Sequence, residues 1–205
     1  MPRPRSDIEP RLVAAARARF LSDGVDGASL RAIAADAGTS IGMVYYYFPT
    51  KDELFLAVVE EVYEKLVQDL HRALDPALPV RDRLERMFAR ISEVTDEELT
   101  IVRLVVREAL VSSSRLDRLI ERFRRGHVAV ILKTVFDGFQ NGTFDRSVNP
   151  VVVALATVSL AGPAQLIRRF AADRLPIQGA PANEELSREL VRVLFEGVGS
   201  KLSER

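Results

Sequence analysis

The chain has 205 residues, of which 47% are hydrophobic and 28% are charged, with 29 basic residues, 29 acidic residues and no cysteine. This length suffices for one compact domain or for a small domain joined to a larger one. Without cysteine, disulfides, thiolate metal sites and cysteine nucleophiles are excluded. The balanced charge argues against a chain coated in nucleic acid along its length, although a local basic face needs only a few cations.

The sequence shows neither a secretory signal nor a clear membrane span. No apolar run follows the basic start MPRPRS. The most apolar stretch, residues 151–167, is interrupted by Gly162 and Pro163 and falls short of the roughly 20 residues that a membrane helix needs. We therefore expect a soluble, cytoplasmic protein with no membrane contact.

Three helices are predicted at the N-terminal end, of which the second and third are short. The first closes at Gly24, a residue typical of helix ends. The second runs from near Ser29 to Gly38. The third must end by Phe48, because Pro49 disfavours helical geometry in the residue before it.

A long fourth helix is predicted to begin with a capping box, Thr50-x-x-Glu53. Its apolar residues recur every four positions: Leu54, Val58, Val62, Leu66 and Leu70. Further helices are predicted over Val80–Val94, Asp96–Val111 and Arg115–Gln140, from Pro150 onward and from Asn183 onward. Because no convincing strand alternation accompanies them, the chain is predicted to be all-α, with about nine helices.

The second and third helices are separated by Ala37-Gly38-Thr39, which is the pattern of a helix-turn-helix, although ordinary helical hairpins use the same turns. The third helix carries Tyr45, Tyr46 and Tyr47 in succession. Three adjacent helical residues fan over roughly 200°, so these rings cannot all be buried. Phenol hydroxyls can reach phosphates, and apolar side chains can contact thymine methyl groups in the major groove.

The segments FLSDG (20–24), SLRAIA (29–34) and AGTSIGMVYYYFPTKDEL (37–54) resemble the DNA-binding domain of the TetR (tetracycline repressor) family. The resemblance covers about the first quarter of the chain and is only architectural beyond Leu70. It implies an N-terminal three-helix helix-turn-helix DNA-binding domain at residues 1–50. A long fourth helix would join it to a helical bundle for ligand binding and dimerisation at residues 51–205.

The resemblance also implies which residues contact DNA. These are Arg31, Ser40, Ile41, Gly42, Met43, Tyr45, Tyr46, Tyr47 and Lys51. The family commonly contacts phosphate at the position of Lys51, and the start of a helix favours phosphate independently. The family often has histidine where Tyr47 stands, so this position departs from the pattern.

The middle of the chain offers few signals for a ligand. Arg103 and Arg107 lie one helical turn apart in apolar surroundings, so they could bind an anionic ligand or form structural ion pairs. His127 could contact a ligand, or it could be an ordinary surface or core residue. We take these three residues as the candidate ligand contacts.

Two C-terminal helices are predicted to form a homodimer. The helix from Pro150 is apolar nearly all round, and the final helix carries one apolar stripe. Pairing them with their symmetry mates gives a four-helix interface with two-fold symmetry. The residues predicted to lie there are Val158, Leu186, Leu190, Leu194 and Gly197.

The resemblance implies a regulator, usually a repressor, that binds a palindromic operator in double-stranded DNA as a homodimer and is released by a small-molecule effector. In one alternative, the C-terminal domain binds a protein partner instead. An enzyme is disfavoured, because the sequence has no HExxH, ExxH, GxGxxG or Walker pattern and only two histidines. No metal or cofactor is expected.

Overall fold

The computed structural model describes residues 7–111, 113–171 and 181–197. Within these ranges the regular structure is helical and contains no strand, which confirms the all-α prediction. The helices are α1 (Ile8–Gly27), α2 (Leu30–Asp36), α3 (Ile41–Tyr47), α4 (Lys51–Ala73), α5 (Val80–Ser92), α6 (Asp96–Val111), α7 (Ser113–Arg125), α8 (His127–Gln140), α9 (Pro150–Ala161), α10 (Pro163–Ala171) and α11 (Asn183–Glu196).

The described residues form eleven helices rather than about nine, because two predicted helices are divided. The predicted helix Arg115–Gln140 is broken at Gly126, whose ψ of −120° is not helical. The apolar helix from Pro150 ends at Gly162, and Pro163 begins the next helix. A proline removes one helical hydrogen bond and crowds the preceding turn, so the break falls where the sequence weakens the helix most.

The helices pack into two compact units. The first comprises Met1–Leu66 and Thr95–Arg122, and the second comprises Val67–Val94 and Phe123–Arg205. These units are defined by packing. The functional division at residue 50 stays a prediction.

The core of the first unit joins α1, α2, α3 and the beginning of α4. Phe20 meets Phe55 edge to face, with ring centroids 6.3 Å apart. Leu12, Ile33 and Val44 are fully buried around them. Their burial, at about 1.5–3 kcal/mol for each large side chain, fixes α1, α2 and α3 to α4.

The core of the second unit centres on α5, which packs against α8, α9 and α11. Leu84, Met87 and Phe88 of α5 are fully buried. At one side, Phe144 stacks on Phe195 with ring centroids 5.4 Å apart.

Three predicted helix starts show the expected capping geometry. Thr50 N–H donates to Glu53 Oε2 at 3.0 Å, and Glu53 N–H donates back to Thr50 Oγ1 at 3.1 Å. The same reciprocal pair joins Thr95 and Glu98 at the start of α6. At the start of α9, Asn149 Oδ1 accepts from the N–H of Val151 at 2.9 Å. The starts of α4, α6 and α9 are therefore set by local sequence.

Among the described residues, the stretch Pro150–Arg169 is long and apolar enough to cross a membrane, judged by length and composition only. Core helices of soluble proteins pass the same test. Here the stretch is interrupted at Gly162, and α9 packs against α8, α10 and α11. The observation is weak evidence for a membrane span.

Candidate nucleic-acid interface

The turn between α2 and α3 has a fixed geometry. Gly38 adopts a φ of +63°, a left-handed conformation that glycine reaches without steric cost. The N–H of Thr39 donates to Ala34 O at 2.9 Å, and the N–H of Gly38 donates to Ala35 O at 3.0 Å. These bonds satisfy carbonyl groups at the end of α2 and set the direction in which α3 leaves.

Two arginines of α1 hold this turn from the side. Arg11 Nη1 donates to Ala37 O at 2.6 Å. Arg19 forms a bidentate ion pair with Asp36, in which Nε donates to Oδ2 at 2.6 Å and Nη2 donates to Oδ1 at 3.1 Å. Through this pair, Arg19 lowers the pKa of the Asp36 carboxyl below its ordinary value. Sequence reasoning missed both arginines, since their partners lie far along the chain.

Helix α3 contributes little of its surface to the core. Val44 is its buried residue, while Ile41 and Met43 are half-buried and Gly42 is exposed. Ser40 precedes the helix, is exposed, and makes no capping bond from its side chain. Val44 is thus the one fully buried position of the helix, while Gly42, Tyr45 and Tyr46 face outward.

The three tyrosines occupy different environments. Tyr45 is 55% exposed and Tyr46 is 75% exposed. Tyr47 is half-buried and meets Tyr46 edge to face, with ring centroids 5.1 Å apart, and it also lies near the buried ring of Phe48. The predicted fan of rings is therefore present, with Tyr45 and Tyr46 on the open side.

Arg31 and Lys51 are the two cations predicted for this surface. Arg31 is exposed on α2. Lys51 is half-buried, and its Nζ donates to Asp26 O at 3.0 Å. A lysine ammonium has three donors, so the bond to Asp26 fixes its position and leaves donors for a phosphate. The capping box uses the N–H groups of Thr50 and Glu53, and the side chain of Lys51 stays the predicted phosphate contact.

The three predicted ligand contacts are not among the residues that line the cavity described below. Arg103 and Arg107 are exposed on α6, and the guanidinium of Arg107 lies against Gly24. His127 is half-buried on α8 beside Phe123, with ring centroids 5.2 Å apart. The role of these three residues stays a prediction.

The second unit contains a cavity of about 260 Å³ that sequence reasoning did not identify. It is lined by His71, Leu74, Pro76, Arg83, Arg125, Ala129, Val130, Lys133, Thr134 and Asp137. Arg83 Nη1 donates to Asp137 Oδ2 at 2.7 Å, and Lys133 donates to the same atom at 3.2 Å. These bonds lower the pKa of the Asp137 carboxyl. Only the Lys133–Asp137 spacing could have been read from the sequence, as a helical ion pair.

The predicted dimer residues leave part of their surface open. Val158 is exposed on α9, and Leu186, Leu190 and Leu194 are half-buried on α11. Gly197 ends α11 with a φ of +74°. Their part in a dimer stays a prediction.

No metal site appears in the part of the chain that the structure describes. There, no group of three or more His, Asp or Glu side chains is placed to hold an ion.

The tight turn, the short third helix and the exposed aromatic residues on it form a helix-turn-helix, a motif typical of DNA-binding transcriptional regulators. The profile described as "Bacterial regulatory proteins, tetR family" matches residues 12–58, which contain α2, α3 and the start of α4. The N-terminal part of the chain thus matches the DNA-binding region of TetR-family regulators, to which the chain is similar.

Curated relatives agree with this assignment. The nicotine-responsive transcriptional repressor HdnoR of Paenarthrobacter nicotinovorans is 34% identical over 97 residues, which is 47% of this chain and 50% of HdnoR. The uncharacterized helix-turn-helix regulator YhgD of Bacillus subtilis is 21% identical over 154 residues, or 75% of this chain and 80% of YhgD. These relatives support a regulator rather than an enzyme.

The fold also matches solved structures along most of its length. The transcriptional regulator FadR from Bacillus subtilis, solved in complex with stearoyl-CoA, superposes with a TM-score of 0.74 over 93% of this chain and 99% of FadR. Only 13% of the aligned residues are identical. At this identity the likeness concerns the fold alone.

Proposed function

We propose that the protein is a homodimeric repressor that reads a palindromic operator with α3 and is released by a small anionic molecule. The observation that carries the DNA-reading role is the outward surface of α3, where Val44 anchors the helix while Tyr45 and Tyr46 stand open to solvent. A cytoplasmic location follows from a DNA target.

In this proposal α3 enters the major groove. Ile41 and Met43 are suited to thymine methyl groups, and Gly42 allows close approach of the backbone to DNA. The hydroxyls of Ser40, Tyr45, Tyr46 and Tyr47 are suited to phosphate oxygens or base edges. Arg31 and Lys51 would contact phosphates on either side, positioning the helix without reading sequence.

The test is a selection from a library of random 30-bp duplexes with the wild-type protein, followed by gel-shift titration of the enriched duplex. The variant Tyr45→Ala/Tyr46→Ala should weaken binding at least about tenfold, because each lost contact is worth roughly 1–3 kcal/mol. The control Ile120→Ala removes an exposed apolar side chain of α7 and should bind like wild type. Enrichment of no sequence, or equal binding by the tyrosine variant, would refute the proposal.

The proposed dimer rests on an apolar surface in the second unit, which we call the α8–α9 face. It consists of Leu132, Phe136, Val151, Val152, Leu155 and Val158, all of them exposed. Several large exposed apolar side chains on two helices that pack together are typical of a protein interface. A second copy with two-fold symmetry would cover the face and place two α3 helices on one palindrome.

The proposed effector site is the cavity in the second unit. Its lining includes three basic side chains, Arg83, Arg125 and Lys133, against one acidic side chain, Asp137, together with apolar residues. Such a lining favours a small organic anion with an apolar part. At about 260 Å³ the cavity lies just below the usual range for ligand sites, roughly 300–1,000 Å³, so a long acyl thioester such as the one bound by FadR would require it to open.

A thermal-shift series can identify the size of the anion. Butyrate, octanoate, stearate, stearoyl-CoA and coenzyme A alone would be the probes. At a hundredfold excess over Kd, a ligand adds about 2.7 kcal/mol to the free energy of unfolding, which corresponds to roughly 5–10 °C in Tm. Loss of that shift in Lys133→Ala would support the site, and an unchanged shift would place the ligand elsewhere.

A further inference from the structure

A single arginine at the start of α7 contacts carboxylates from three other helices of the first unit. Arg115 Nε donates to Asp52 Oδ1 of α4 at 2.8 Å, and its Nη1 donates to Glu108 Oε2 of α6 at 2.7 Å. Its Nη2 donates to Asp26 Oδ1, in the segment that follows the break of α1 at Gly24. We call Arg115, Asp26, Asp52 and Glu108 the Arg115 cluster.

The centre of the Arg115 cluster is shielded from water. The side chains of Arg115 and Glu108 are only 8% and 3% exposed. Glu108 also accepts from the backbone N–H of Val25 at 3.5 Å. Because buried charges are screened much less than surface charges, this pair fixes its neighbours more firmly than the exposed ion pairs do.

Two members of the Arg115 cluster, Asp26 and Asp52, are also neighbours of Lys51. The carboxylate of Asp26 accepts a hydrogen bond from Arg115, and its backbone carbonyl accepts one from Lys51 Nζ. Asp52, the next residue after Lys51, gives its carboxylate to the same guanidinium. Arg115 is thus bonded to Asp26, which contacts the Lys51 ammonium, and to Asp52, which follows Lys51 in the chain.

We propose that Arg115 is a positioning residue for DNA binding, which holds the segment after Gly24 against the start of α4 and thereby sets where Lys51 meets a phosphate. The inference rests on the proposed DNA contact of Lys51. The buried half of the cluster, Glu108 and Arg115, comes from α6 and α7, so in this proposal these two helices fix the position of Lys51.

A double-mutant cycle tests the inference. The variant Arg115→Met/Glu108→Leu removes both buried charges together, so that no carboxylate is left buried without a partner. Lys51→Ala is introduced into wild type and into this variant. Kd for the duplex selected with wild type is then measured by fluorescence anisotropy between 50 and 200 mM salt, with circular dichroism and Tm as checks of folding.

In wild type, Lys51→Ala should weaken binding about five- to tenfold and lower the salt slope by about one unit, as expected for one lost phosphate contact. In the Arg115→Met/Glu108→Leu background, Lys51→Ala should weaken binding by less than about twofold, because Lys51 is no longer held at the phosphate. A merely structural Arg115 would lower Tm but leave the effect of Lys51→Ala unchanged.

Arg122→Met is the matched control. Arg122 also lies on α7 and pairs with α4, where its Nε donates to Glu60 Oε2 at 2.7 Å and its guanidinium covers Tyr63. In that background Lys51→Ala should have its full effect. If Arg115→Met/Glu108→Leu does not fold, Asp26→Asn serves in its place, since it removes one carboxylate of the cluster and keeps the carbonyl that Lys51 uses.

The outcomes are distinguishable. Equal effects of Lys51→Ala in all backgrounds would overturn the positioning role of Arg115 and leave the DNA contact intact. No effect of Lys51→Ala in wild type would overturn the DNA contact itself, and with it the inference.

Discussion

Different residues of α3 contribute to folding and to the proposed DNA binding. Val44 is fully buried, whereas Gly42, Tyr45 and Tyr46 are exposed. A substitution at an exposed position without special geometry usually changes the free energy of unfolding by less than about 0.5 kcal/mol. Binding and stability can therefore be separated experimentally on this helix.

Gly42→Ala should show this separation most clearly. An added Cβ would lie 3.7 Å from Ser40 Oγ, which is an ordinary van der Waals contact, and the φ of Gly42 is not positive. The change should therefore stabilise α3 by about 0.5–1 kcal/mol. Binding to the selected duplex should weaken at least about tenfold, or ~1.4 kcal/mol, because the methyl group would separate the backbone from DNA.

Chemical denaturation and anisotropy titration of Gly42→Ala measure the two effects independently. A more stable protein that binds DNA as tightly as wild type would show that Gly42 does not lie against the groove.

Asp137 gives a prediction about pH. The guanidinium of Arg83 and the ammonium of Lys133 hold the pKa of its carboxyl below the ordinary value of 3.8. Its stabilising effect is therefore present above about pH 4 and is lost as the pH falls through the lowered pKa. Asp137→Asn should lower Tm at pH 7 and make Tm fall less steeply than wild type between about pH 4 and 2.5.

Differential scanning fluorimetry at a series of pH values checks this expectation. Asp117→Asn, at an exposed position of α7, is the control and should follow the wild-type curve. Parallel curves for wild type and Asp137→Asn would show that this ion pair does not contribute to acid sensitivity.

At the scale of helices, the contact between α8 and the loop that follows it depends on a residue without a side chain. A Cβ at Gly138 would lie 2.5 Å from Phe144 Cδ2 and 3.2 Å from Val80 Cγ1. Gly138→Ala should therefore destabilise the second unit by about 1–3 kcal/mol through overpacking, despite the higher helix propensity of alanine.

The Tm of Gly138→Ala measures this cost, and Gly138→Ala/Phe144→Leu should recover part of it because the smaller side chain relieves the clash. Gly162→Ala is the control, since its nearest neighbour would be Val158 O at 3.8 Å. An unchanged Tm for Gly138→Ala would mean that Phe144 moves aside without cost.

Helix boundaries were predictable where they depend on neighbouring residues. The predicted capping box at Thr50 is confirmed, and the predicted helices from Asp96 and Pro150 begin with caps from Thr95 and Asn149, because each cap is a contact across two or three positions. The break at Gly126 was missed. One glycine costs a helix only about 1 kcal/mol, so the sequence alone does not show whether tertiary packing will break the helix there.

The candidate site, too, was predictable only where it depends on residues close together in the sequence. The outward face of α3 followed from spacing and residue type. The Arg115 cluster did not, because its members lie at positions 26, 52, 108 and 115 and meet only when four helices are packed. The cavity was missed for the same reason, since its lining comes from α4, α5, α7 and α8 and from the segment after α4.

At the scale of the whole molecule, the proposed function requires two copies. One helix-turn-helix reads one half-site, and two half-sites about one DNA turn apart, roughly 34–36 Å, require a two-fold partner. The α8–α9 face is the surface proposed for that partner. Within it Leu155 is 63% exposed and Phe136 is 60% exposed, and several large apolar side chains exposed together are typical of an interface.

Leu155→Asp/Val158→Asp should convert the dimer to a monomer, because two carboxylates would be buried without partners in the interface. Sedimentation equilibrium should give one chain mass, while the Tm of the monomer stays close to that expected from two surface substitutions. Affinity for a full palindrome should fall by roughly 10²–10⁴-fold, the gain that linking two binding modules provides, whereas affinity for a single half-site should not change.

Ile120→Asp, which places a carboxylate at an exposed apolar position of α7, should remain dimeric. A dimer that survives the paired aspartates would show that the two copies meet through another surface.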